Sequence, residues 1–261
     1  PALRIFQSEF NNFTTLNFSG LTNLTRVLCS NTGISNIILT GATNLLTLEC
    51  NYNNLTSINL NGLSNLSWFA CNGNNIGSLN LTGLSSLGEL QCVGCGLTQL
   101  DLSACPSLGN LYCGSNALTS LNVGVTPNLR WLNFDGNQIA TIDLSMLTAL
   151  QFLIADNNLL TSLDANNSPN LIYFFCRNNP NLTSIFLKNG IVELELITAD
   201  FILGCPNLEY ICADESQLND IQGLVTSLGY TNCSVNSYCS FSPGGVSYKI
   251  QGTNTYDSDS N

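Results

Sequence analysis

Six of the twelve cysteines in this 261-residue sequence recur at a fixed spacing, and thiols are its most reactive side chains. They lie 21 residues or a multiple of 21 apart: Cys29, Cys50, Cys71, Cys92, Cys113 and Cys176. Side chains that adjacent parallel strands hold in the same orientation approach each other poorly for a disulfide. A zinc site needs four convergent ligands, and the chain has no histidine. We therefore interpret the series as a ladder of reduced, buried thiols that act as small apolar side chains.

Three further cysteines, Cys212, Cys233 and Cys239, fall outside this register near the C-terminus. We predict a disulfide between Cys212 and Cys233, because a last repeat strand carrying Cys212 and a segment returning after a helix with Cys233 could lie side by side. Cys239 is the competing partner. A disulfide here implies an oxidising compartment.

The sequence lacks the residues on which most enzymatic sites depend. Without histidine it has no usual general base, no Ser-His-Asp arrangement and no Cys-His pair. It contains no phosphate-binding G-x-x-x-x-G-K-S/T motif, and no G-x-G-x-x-G between a strand and a helix. Asp143 and Asp164 are paired carboxylates, but a spacing of 21 residues places them on solvent-exposed turns. We predict a non-catalytic protein that needs no cofactor.

One weak metal site remains as a hypothesis at the C-terminus. Asp257, Asp259 and Asn261 have the alternating spacing of the first oxygen ligands in D-x-[DN]-x-[DN]-G calcium loops. The sequence ends before the glycine of that motif. A polar tail without a metal is the favoured interpretation.

A repeat must position these residues. Two successive units read LLTLECNYNNLTSINLNGLSN and LSWFACNGNNIGSLNLTGLSS, and the consensus L-x-x-L-x-C-x-x-N-x-L-x-x-L-x-L-x-x-L-x-N resembles the leucine-rich repeat family. One unit is too small to bury its own apolar face, so the units must stack. We predict an α/β repeat solenoid with a parallel concave β-sheet and a mostly irregular convex side. Eight 21-residue units open at Leu3, Leu24, Leu45, Leu66, Leu87, Leu108, Leu129 and Leu150.

The alternation of side chains along a strand assigns each position of the unit. Positions 1, 4 and 6 should face the core together with positions 11 and 14, whereas positions 3 and 5 should face outwards on the concave sheet. A buried asparagine at position 9 must satisfy its amide, and the backbone of the following turn offers partners. We predict an asparagine ladder that Thr32 and Cys95 interrupt. Its members are Asn11, Asn53, Asn74, Asn116, Asn137, Asn158 and Asn179.

The register changes after the ninth unit, which begins at Leu171. An insertion separates it from the next unit at Leu208, which we expect to continue the concave sheet with Tyr210 and Cys212 facing outwards. The stretch SQLNDIQGLVTSLG has apolar residues at helical spacing and predicts the helix of a C-terminal cap. We divide the chain into repeats at 1–207 (eight 21-residue units and a ninth with the insert), a capping unit at 208–245, and a polar tail or the start of a following module at 246–261.

The outward positions of the concave sheet carry a contiguous set of aromatic side chains. Exposed contiguous aromatics are unfavourable in water and mark interaction sites, so we predict a binding surface. The alternative is that aromatic residues simply favour strands and stack on one another. The predicted patch comprises Trp68, Tyr112, Trp131, Phe152, Tyr173 and Phe175, with Ile154 beside them and with Asp135, Asp156 and Arg177 at its edge.

The composition argues against two classes of partner. Six Lys and Arg against 17 Asp and Glu give a net charge of −11, so phosphate backbones and anionic membranes are repelled. The sequence contains no run of 18 apolar residues, which is the length that a membrane-spanning helix requires. We predict no nucleic-acid partner and no membrane span.

The sequence also resembles a narrower group of proteins. The N-P-N-L junctions, F-L-K-N-G after the ninth unit, and then Y-I-C-A-D-E, G-Y-T-N-C and N-S-Y-C-S-F-S-P-G-G are similar to large secreted proteins of Bacteroidota. In that group a leucine-rich repeat region precedes further modules and a C-terminal type IX secretion signal. The resemblance implies a longer parent that uses this secretion machinery, an extracellular or cell-surface location, and an adhesin-like role.

The favoured function is that of a binding or adhesion module, which recognises a protein or a glycan on another cell or surface through the concave face. Two alternatives stay open at this point. The chain could be a structural spacer, or it could be a substrate-binding appendage of a larger secreted enzyme.

Overall fold

The computed structural model describes residues 3–191 and 201–239. Within these ranges the chain forms fifteen short strands and one helix, α1 (Leu218–Ser227). We number the coils of the repeat from the unit that begins at Leu3. The strands are β1 (Ile5–Gln7), β2 (Thr15–Asn17), β3 (Arg26–Leu28), β4 (Asn36–Ile38), β5 (Thr47–Glu49), β6 (Trp68–Ala70), β7 (Glu89–Gln91), β8 (Asn110–Tyr112), β9 (Trp131–Asn133), β10 (Phe152–Ile154), β11 (Ser162–Asp164), β12 (Tyr173–Phe175), β13 (Ser184–Leu187), β14 (Tyr210–Ala213) and β15 (Ser234–Asn236).

Nine strands in the described part of the chain form one parallel sheet, in the order β1-β3-β5-β6-β7-β8-β9-β10-β12. Each strand pairs in register with the strand of the next coil, so that Phe152 lies between Trp131 and Tyr173. The middle residue of each strand points inwards because strand side chains alternate. From Val27 to Phe174 these middle side chains are fully buried. The predicted solenoid with a parallel concave sheet is confirmed.

The opposite side of the coils is mostly irregular, as predicted. Here β2 pairs with β4, and β11, β13, β14 and β15 form a parallel sheet at the C-terminal end. An Asn or Asp at position 15 accepts a hydrogen bond from the amide two residues later both in these strands, as Asn17 does from Ser19 at 2.9 Å, and in the irregular coils, as Asn80 does from Thr82 at 3.0 Å. These side-chain bonds shape the turn locally.

The asparagine at position 9 bonds two successive coils together. Nδ2 of Asn74 donates to the carbonyl oxygens of Cys50 at 3.0 Å and Cys71 at 2.8 Å, and its Oδ1 accepts from the amide of Leu55 at 3.0 Å. One buried side chain thereby satisfies three backbone groups that the turn leaves open. Asn11, in the first coil, instead bonds Ser8 and Glu9. The inter-coil pattern recurs at Asn53, Asn116, Asn137, Asn158 and Asn179.

Residues that replace the ladder asparagine keep part of its bonding. The thiol of Cys95 donates to the carbonyl oxygen of Cys71 in the preceding coil at 3.1 Å. The hydroxyl of Thr32 donates to the carbonyl oxygen of Cys29 in its own coil at 2.8 Å. Cys95 and Thr32 therefore interrupt the asparagine ladder, as predicted, but the carbonyl oxygens of Cys71 and Cys29 still accept a hydrogen bond.

The six cysteines at position 6 are free and buried, which confirms the predicted ladder of reduced thiols. Burial raises the pKa of Cys29 to about 12, and burial also holds the pKa of Cys50 and Cys92 well above the ordinary thiol value. A thiol with a raised pKa carries almost no thiolate at neutral pH, and the thiolate is the reactive form. These side chains therefore serve packing.

The C-terminal end departs from the expected continuation of the concave sheet. Strand β14 pairs with β13 on the opposite side of the coils, with Ile211 level with Ile185. Tyr210 and Cys212 are therefore buried there and do not face outwards on the concave sheet. The backbone place next to Cys176 is taken by Phe201, whose carbonyl oxygen accepts from the Cys176 amide at 2.9 Å. Residues 192–200 of the insertion lie outside the described ranges, and the domain division at Leu208 stays a prediction.

The predicted cap helix is present as α1, and it buries Ile221, Leu224 and Val225. These residues have the apolar spacing that predicted the helix. After the helix, the hydroxyl of Tyr230 donates to the carbonyl oxygen of Ile202 at 2.9 Å. This bond fixes the segment that follows α1 against the last coil.

The disulfide joins Cys212 to Cys239, with their Cα atoms 5.3 Å apart, so the predicted Cys212–Cys233 pairing is wrong. Cys233 is free and buried. The parallel register of β14 and β15 places Cys212 opposite Asn236. Cys233 lies three residues before that point, roughly 10 Å along the strand, whereas the chain folds back after β15 and returns Cys239 to Cys212.

We expect Asn158→Ala to destabilise the protein by roughly 3 kcal/mol. The substitution leaves the buried amide of Ile139 without a partner, which costs about 1–3 kcal/mol, and it removes one of the two hydrogen bonds to the carbonyl oxygen of Phe134, worth about 1 kcal/mol. The measurement is urea unfolding followed by circular dichroism. Gln138→Ala removes an exposed side chain beside Ile139, in the turn of coil 7 that Asn158 bonds, and should change stability by less than about 0.5 kcal/mol. Equal losses in the two variants would contradict a structural role for the ladder.

All twelve cysteines lie in the described residues, and we expect ten of them to react with a thiol reagent in denaturant without reductant. Peptide mapping should recover Cys212 bonded to Cys239. The control variant Cys239→Ser should release one additional reactive thiol, at Cys212. Recovery of Cys233 in a bridge, or of Cys212 as a free thiol in the unmodified chain, would show that the pairing is incorrect.

Candidate functional site

Three aromatic side chains at position 3 of coils 7, 8 and 9 stack on one another along the concave sheet. Trp131 and Phe152 have ring centroids 4.2 Å apart and planes inclined by 19°. Phe152 and Tyr173 are 4.9 Å apart with an inclination of 13°. In-register pairing of β9, β10 and β12 sets these spacings, because adjacent parallel strands lie about 4.8 Å apart. Tyr112, at position 5 of coil 6, packs diagonally against the end of this row, with its ring centroid 5.7 Å from that of Trp131.

This row forms one wall of a shallow hollow that opens to solvent. Two position-5 side chains, Ile154 and Phe175, face the row across the hollow, whose volume is about 340 Å³. Its five lining side chains are apolar apart from the indole N–H and the phenol hydroxyl. The core beneath the strands is already filled by Leu132, Leu153 and Phe174, so the hollow is additional to the folded core. We call it the aromatic hollow and define it by Trp131, Phe152, Ile154, Tyr173 and Phe175.

The two tryptophans differ in how their indole N–H groups are bonded. Trp68 donates from Nε1 to the carboxylate of Glu89 at 2.9 Å. Nε1 of Trp131 is buried and has no hydrogen-bond partner among the described residues. Glu89 and Asn110 lie between the tryptophans along the sheet, so three strand spacings, roughly 14 Å, separate them. Trp68 was predicted within the patch, and the structure places it outside the aromatic hollow.

Two of the predicted edge residues, Asp156 and Arg177, form an ion pair. Arg177 donates from Nε at 2.8 Å and from Nη2 at 2.6 Å to the same carboxylate oxygen of Asp156, and its backbone amide donates to the other at 2.7 Å. The guanidinium carbon of Arg177 lies 5.1 Å from the ring centroid of Phe175. The pair therefore holds one lining ring of the hollow in place, and the charge of Asp156 is neutralised within the protein.

The third edge residue, Asp135, is half-buried in coil 7 and forms no ion pair with a described residue. Burial and the neighbouring charge of Asp156 raise the pKa of the Asp135 carboxyl. Its side chain occupies space that only a glycine leaves free, because a Cβ atom at Gly114 would collide with the carboxylate. Asp135 is thus a carboxylate whose charge the described part of the protein does not balance.

Sequence reasoning missed Glu89, which carries a second carboxylate on this face. It lies at position 3 of coil 5 and accepts hydrogen bonds from three neutral donors: Trp68 Nε1, Gln91 Nε2 at 2.6 Å and Asn110 Nδ2 at 3.1 Å. These bonds orient the carboxylate without neutralising it. The signal was present in the sequence, because an outward glutamate at position 3 lies in the same row as the aromatic side chains.

A larger groove of about 700 Å³ lies on the flank of the first coils, but it offers no comparable anchor. Its lining includes Asn44 and Asn65, whose Nδ2 atoms donate to backbone carbonyl oxygens of the preceding coil at 2.7 and 2.9 Å. These amides hold the coils together. Leu46 is the large apolar side chain in this lining.

The fold of the chain is similar to those of solved leucine-rich repeat proteins. The functional domain of InlJ from Listeria monocytogenes, which includes a cysteine ladder, matches 85% of this chain over 59% of its own, at 24% identity and a TM-score of 0.53. The plant peptide hormone receptor RGFR1 in complex with RGF2 matches 81% over 44%, at 19% identity and a TM-score of 0.61. YopM from Yersinia enterocolitica matches 81% over 55%, at 20% identity and a TM-score of 0.56.

This likeness establishes the leucine-rich repeat fold of the chain. The chain spans between 44% and 59% of the length of these three proteins. A scan against protein-family models finds no match, and a search of curated proteins finds none.

In the described ranges, no group of three or more His, Cys, Asp or Glu side chains is arranged to hold a metal ion. No helix of residues 3–191 and 201–239 is both long and apolar enough to cross a bilayer. Asp257, Asp259 and Asn261 lie outside the described residues, so the calcium hypothesis stays a prediction.

We expect Asp135→Asn to stabilise the protein at about pH 7. The folded-state pKa of Asp135 is raised, so the folded chain favours the neutral carboxyl, and that preference is lost as the pH rises through the folded pKa. Asparagine keeps the side chain neutral at every pH. The thermal midpoint of the variant should exceed that of the original chain at about pH 7, and the difference should vanish near pH 3, below the ordinary aspartate pKa of about 3.9.

The matched control is Asp143→Asn on the opposite side of the coils. Hydrogen bonds from Ser145 lower the pKa of Asp143, so loss of this charge should not stabilise the protein at neutral pH. If both variants gain stability equally at neutral pH, relief of the overall negative charge explains the effect, and the local account of Asp135 is wrong.

Proposed function

We propose that this chain is a non-catalytic binding module that recognises a segment of another protein in the aromatic hollow. The observation that carries the proposal is the hollow itself, which places five large side chains around an open apolar space outside a filled core. Apolar surface of this kind is unfavourable in water unless a ligand covers it.

A protein ligand fits this surface better than a glycan does. Aromatic side chains bind sugars through the ring face, whose negative quadrupole attracts polarised C–H groups. Phe152 is stacked between Trp131 and Tyr173, so both of its faces are covered by neighbouring rings. The faces of Phe152 are therefore closed to a sugar. An apolar side chain inserted between this row and Ile154 and Phe175 would bury the hollow.

Simple stacking of strand aromatics explains only part of the arrangement. Offset ring pairs contribute about 0.5–1.5 kcal/mol each, so the contacts of Phe152 with Trp131 and Tyr173 stabilise the sheet. Stacking does not require Ile154 and Phe175, which are at position 5 of coils 8 and 9. Some other coils carry polar side chains at this position, such as Gln91 and Asn133. These two side chains complete the hollow, which supports a ligand-binding role.

One of the structures with this fold supports a peptide-binding role by analogy. RGFR1 is a plant peptide hormone receptor and was solved in complex with RGF2. The leucine-rich repeat fold therefore accommodates peptide recognition in that protein. For the present chain we extend this to a protein segment that binds in the aromatic hollow.

The proposal includes an extracellular or cell-surface location and an adhesin-like role within a longer secreted protein, exported by its secretion machinery. The Cys212–Cys239 disulfide supports this location, because such bonds persist in oxidising compartments. The buried thiols of the ladder are protected from oxidation by their environment.

The test is a selection from a random displayed peptide library on the immobilised chain. Peptides selected in this way should bind the unmodified chain and lose roughly thirtyfold or more in affinity for a Trp131→Ala, Tyr173→Ala double variant, since truncation of an anchor aromatic costs about 2 kcal/mol or more. Tyr52→Ala removes an exposed aromatic side chain outside the hollow and should leave binding unchanged.

Stability must be measured beside binding. The double variant should keep its circular dichroism spectrum, whereas Leu132→Ala, in the core beneath the hollow, should lose about 2–5 kcal/mol of stability. Selected peptides that bind the double variant as tightly as the original chain would move the site away from the hollow. A chain that selects no peptide but binds a glycan array would contradict the protein-binding proposal.

A further inference from the structure

The concave face combines the aromatic hollow with carboxylates that the described residues do not neutralise. Asp156 is satisfied by Arg177, and Glu215 by Lys188. In the described ranges these are the two ion pairs, and neither includes Asp135 or Glu89. A half-buried carboxylate without a cationic partner costs stability in the unbound protein, and a cationic ligand would offset that cost.

Asp135 lies near the hollow, in the same coil as Trp131, but does not line it. Its Cα is roughly 8 Å from that of Ile154, which is one coil and two strand residues away. Its carboxylate lies on the opposite side, over Gly114 of coil 6, so a basic side chain must reach across coil 7 to pair with it. The adjacent carboxylate of Asp156 already holds a guanidinium group, which shows that this edge of the hollow accommodates an arginine side chain over the face of Phe175.

Glu89 borders the other end of the aromatic row. Along the sheet, Glu89 pairs with Asn110 of the next strand, and Asn110 pairs with Trp131. Two strand spacings, roughly 10 Å, therefore separate Glu89 from Trp131 in the hollow. The donors on Trp68, Gln91 and Asn110 fix its orientation before any ligand arrives. A preorganised carboxylate loses little conformational entropy when a cation binds.

We infer that the partner segment is cationic: an apolar side chain enters the aromatic hollow while a basic side chain nearby in the same segment pairs with Asp135, and Glu89 receives a second basic group. This inference rests on the proposed function and specifies its ligand. The faces of Phe152 are not available to a cation, because the rings of Trp131 and Tyr173 cover them. The net charge of −11 adds long-range attraction for a basic partner.

The probes are fluorescein-labelled synthetic peptides with one phenylalanine and one arginine in an alanine–serine background. The arginine is moved stepwise along the peptide on both sides of the phenylalanine. Each peptide has a counterpart in which citrulline, a neutral side chain of the same shape, replaces arginine. Binding is measured by fluorescence anisotropy. At the productive spacing, we expect the arginine peptide to bind roughly tenfold more tightly than its citrulline counterpart, and the difference to shrink at high salt.

Substitutions of the carboxylates assign the contact. Asp135→Asn should abolish the difference between the arginine and citrulline peptides. A second peptide set keeps the productive spacing and adds a second arginine, and for this set Glu89→Gln should reduce the difference from the citrulline counterparts. The control Asp143→Asn removes the same charge from the opposite side and should preserve the difference. There the asparagine keeps the turn, because Asn80 makes the same turn bond in another coil.

The outcomes separate this inference from the proposed function. Equal binding of arginine and citrulline peptides, lost in the Trp131→Ala, Tyr173→Ala variant, overturns the cationic partner and leaves protein binding in the hollow intact. A preference for arginine that persists in Asp135→Asn overturns the assigned contact. If no probe peptide binds, the inference fails, and the library selection still decides the proposed function on its own.

Discussion

In-register pairing between strands of successive coils is the constraint on which the rest of this structure depends. Because each strand hydrogen-bonds to the strand of the next coil at the same repeat position, equivalent residues lie about 4.8 Å apart in rows. One row becomes the asparagine ladder, another the buried thiols, and a third the stack of Trp131, Phe152 and Tyr173. The same geometry thus supplies both stability and a surface.

The rows differ in what a change at one position costs. In the ladder, Asn158 satisfies backbone groups of two coils, so a substitution affects both. Cys95 shows that another donor can serve in part. On the concave face a change affects mainly the row itself, because the core side chains lie on the other side of the strand. Residues there are freer to vary for a ligand, and the unbalanced charge of Asp135 and the open aromatic hollow are consistent with that freedom.

The repeat period predicted the sheet, the buried positions, the thiol ladder, the cap helix and the aromatic row, since each follows from strand or helix periodicity. It could not predict the C-terminal end, because an insertion broke the register and strand β14 paired on the opposite side. The partner of Cys212 depended on that pairing. The Asp156–Arg177 pair and the separation of Trp68 from the hollow depended on side-chain conformations, which a one-dimensional pattern does not contain.

The most direct test of the account uses the indole N–H signals of the two tryptophans in a nitrogen-labelled sample, assigned with a Trp131→Phe variant. Trp131 lines the aromatic hollow, and its Nε1 lacks a partner among the described residues. Addition of a peptide that binds the chain should shift the Trp131 signal. A peptide that binds while the Trp131 signal stays unchanged would show that the aromatic hollow is not the recognition site.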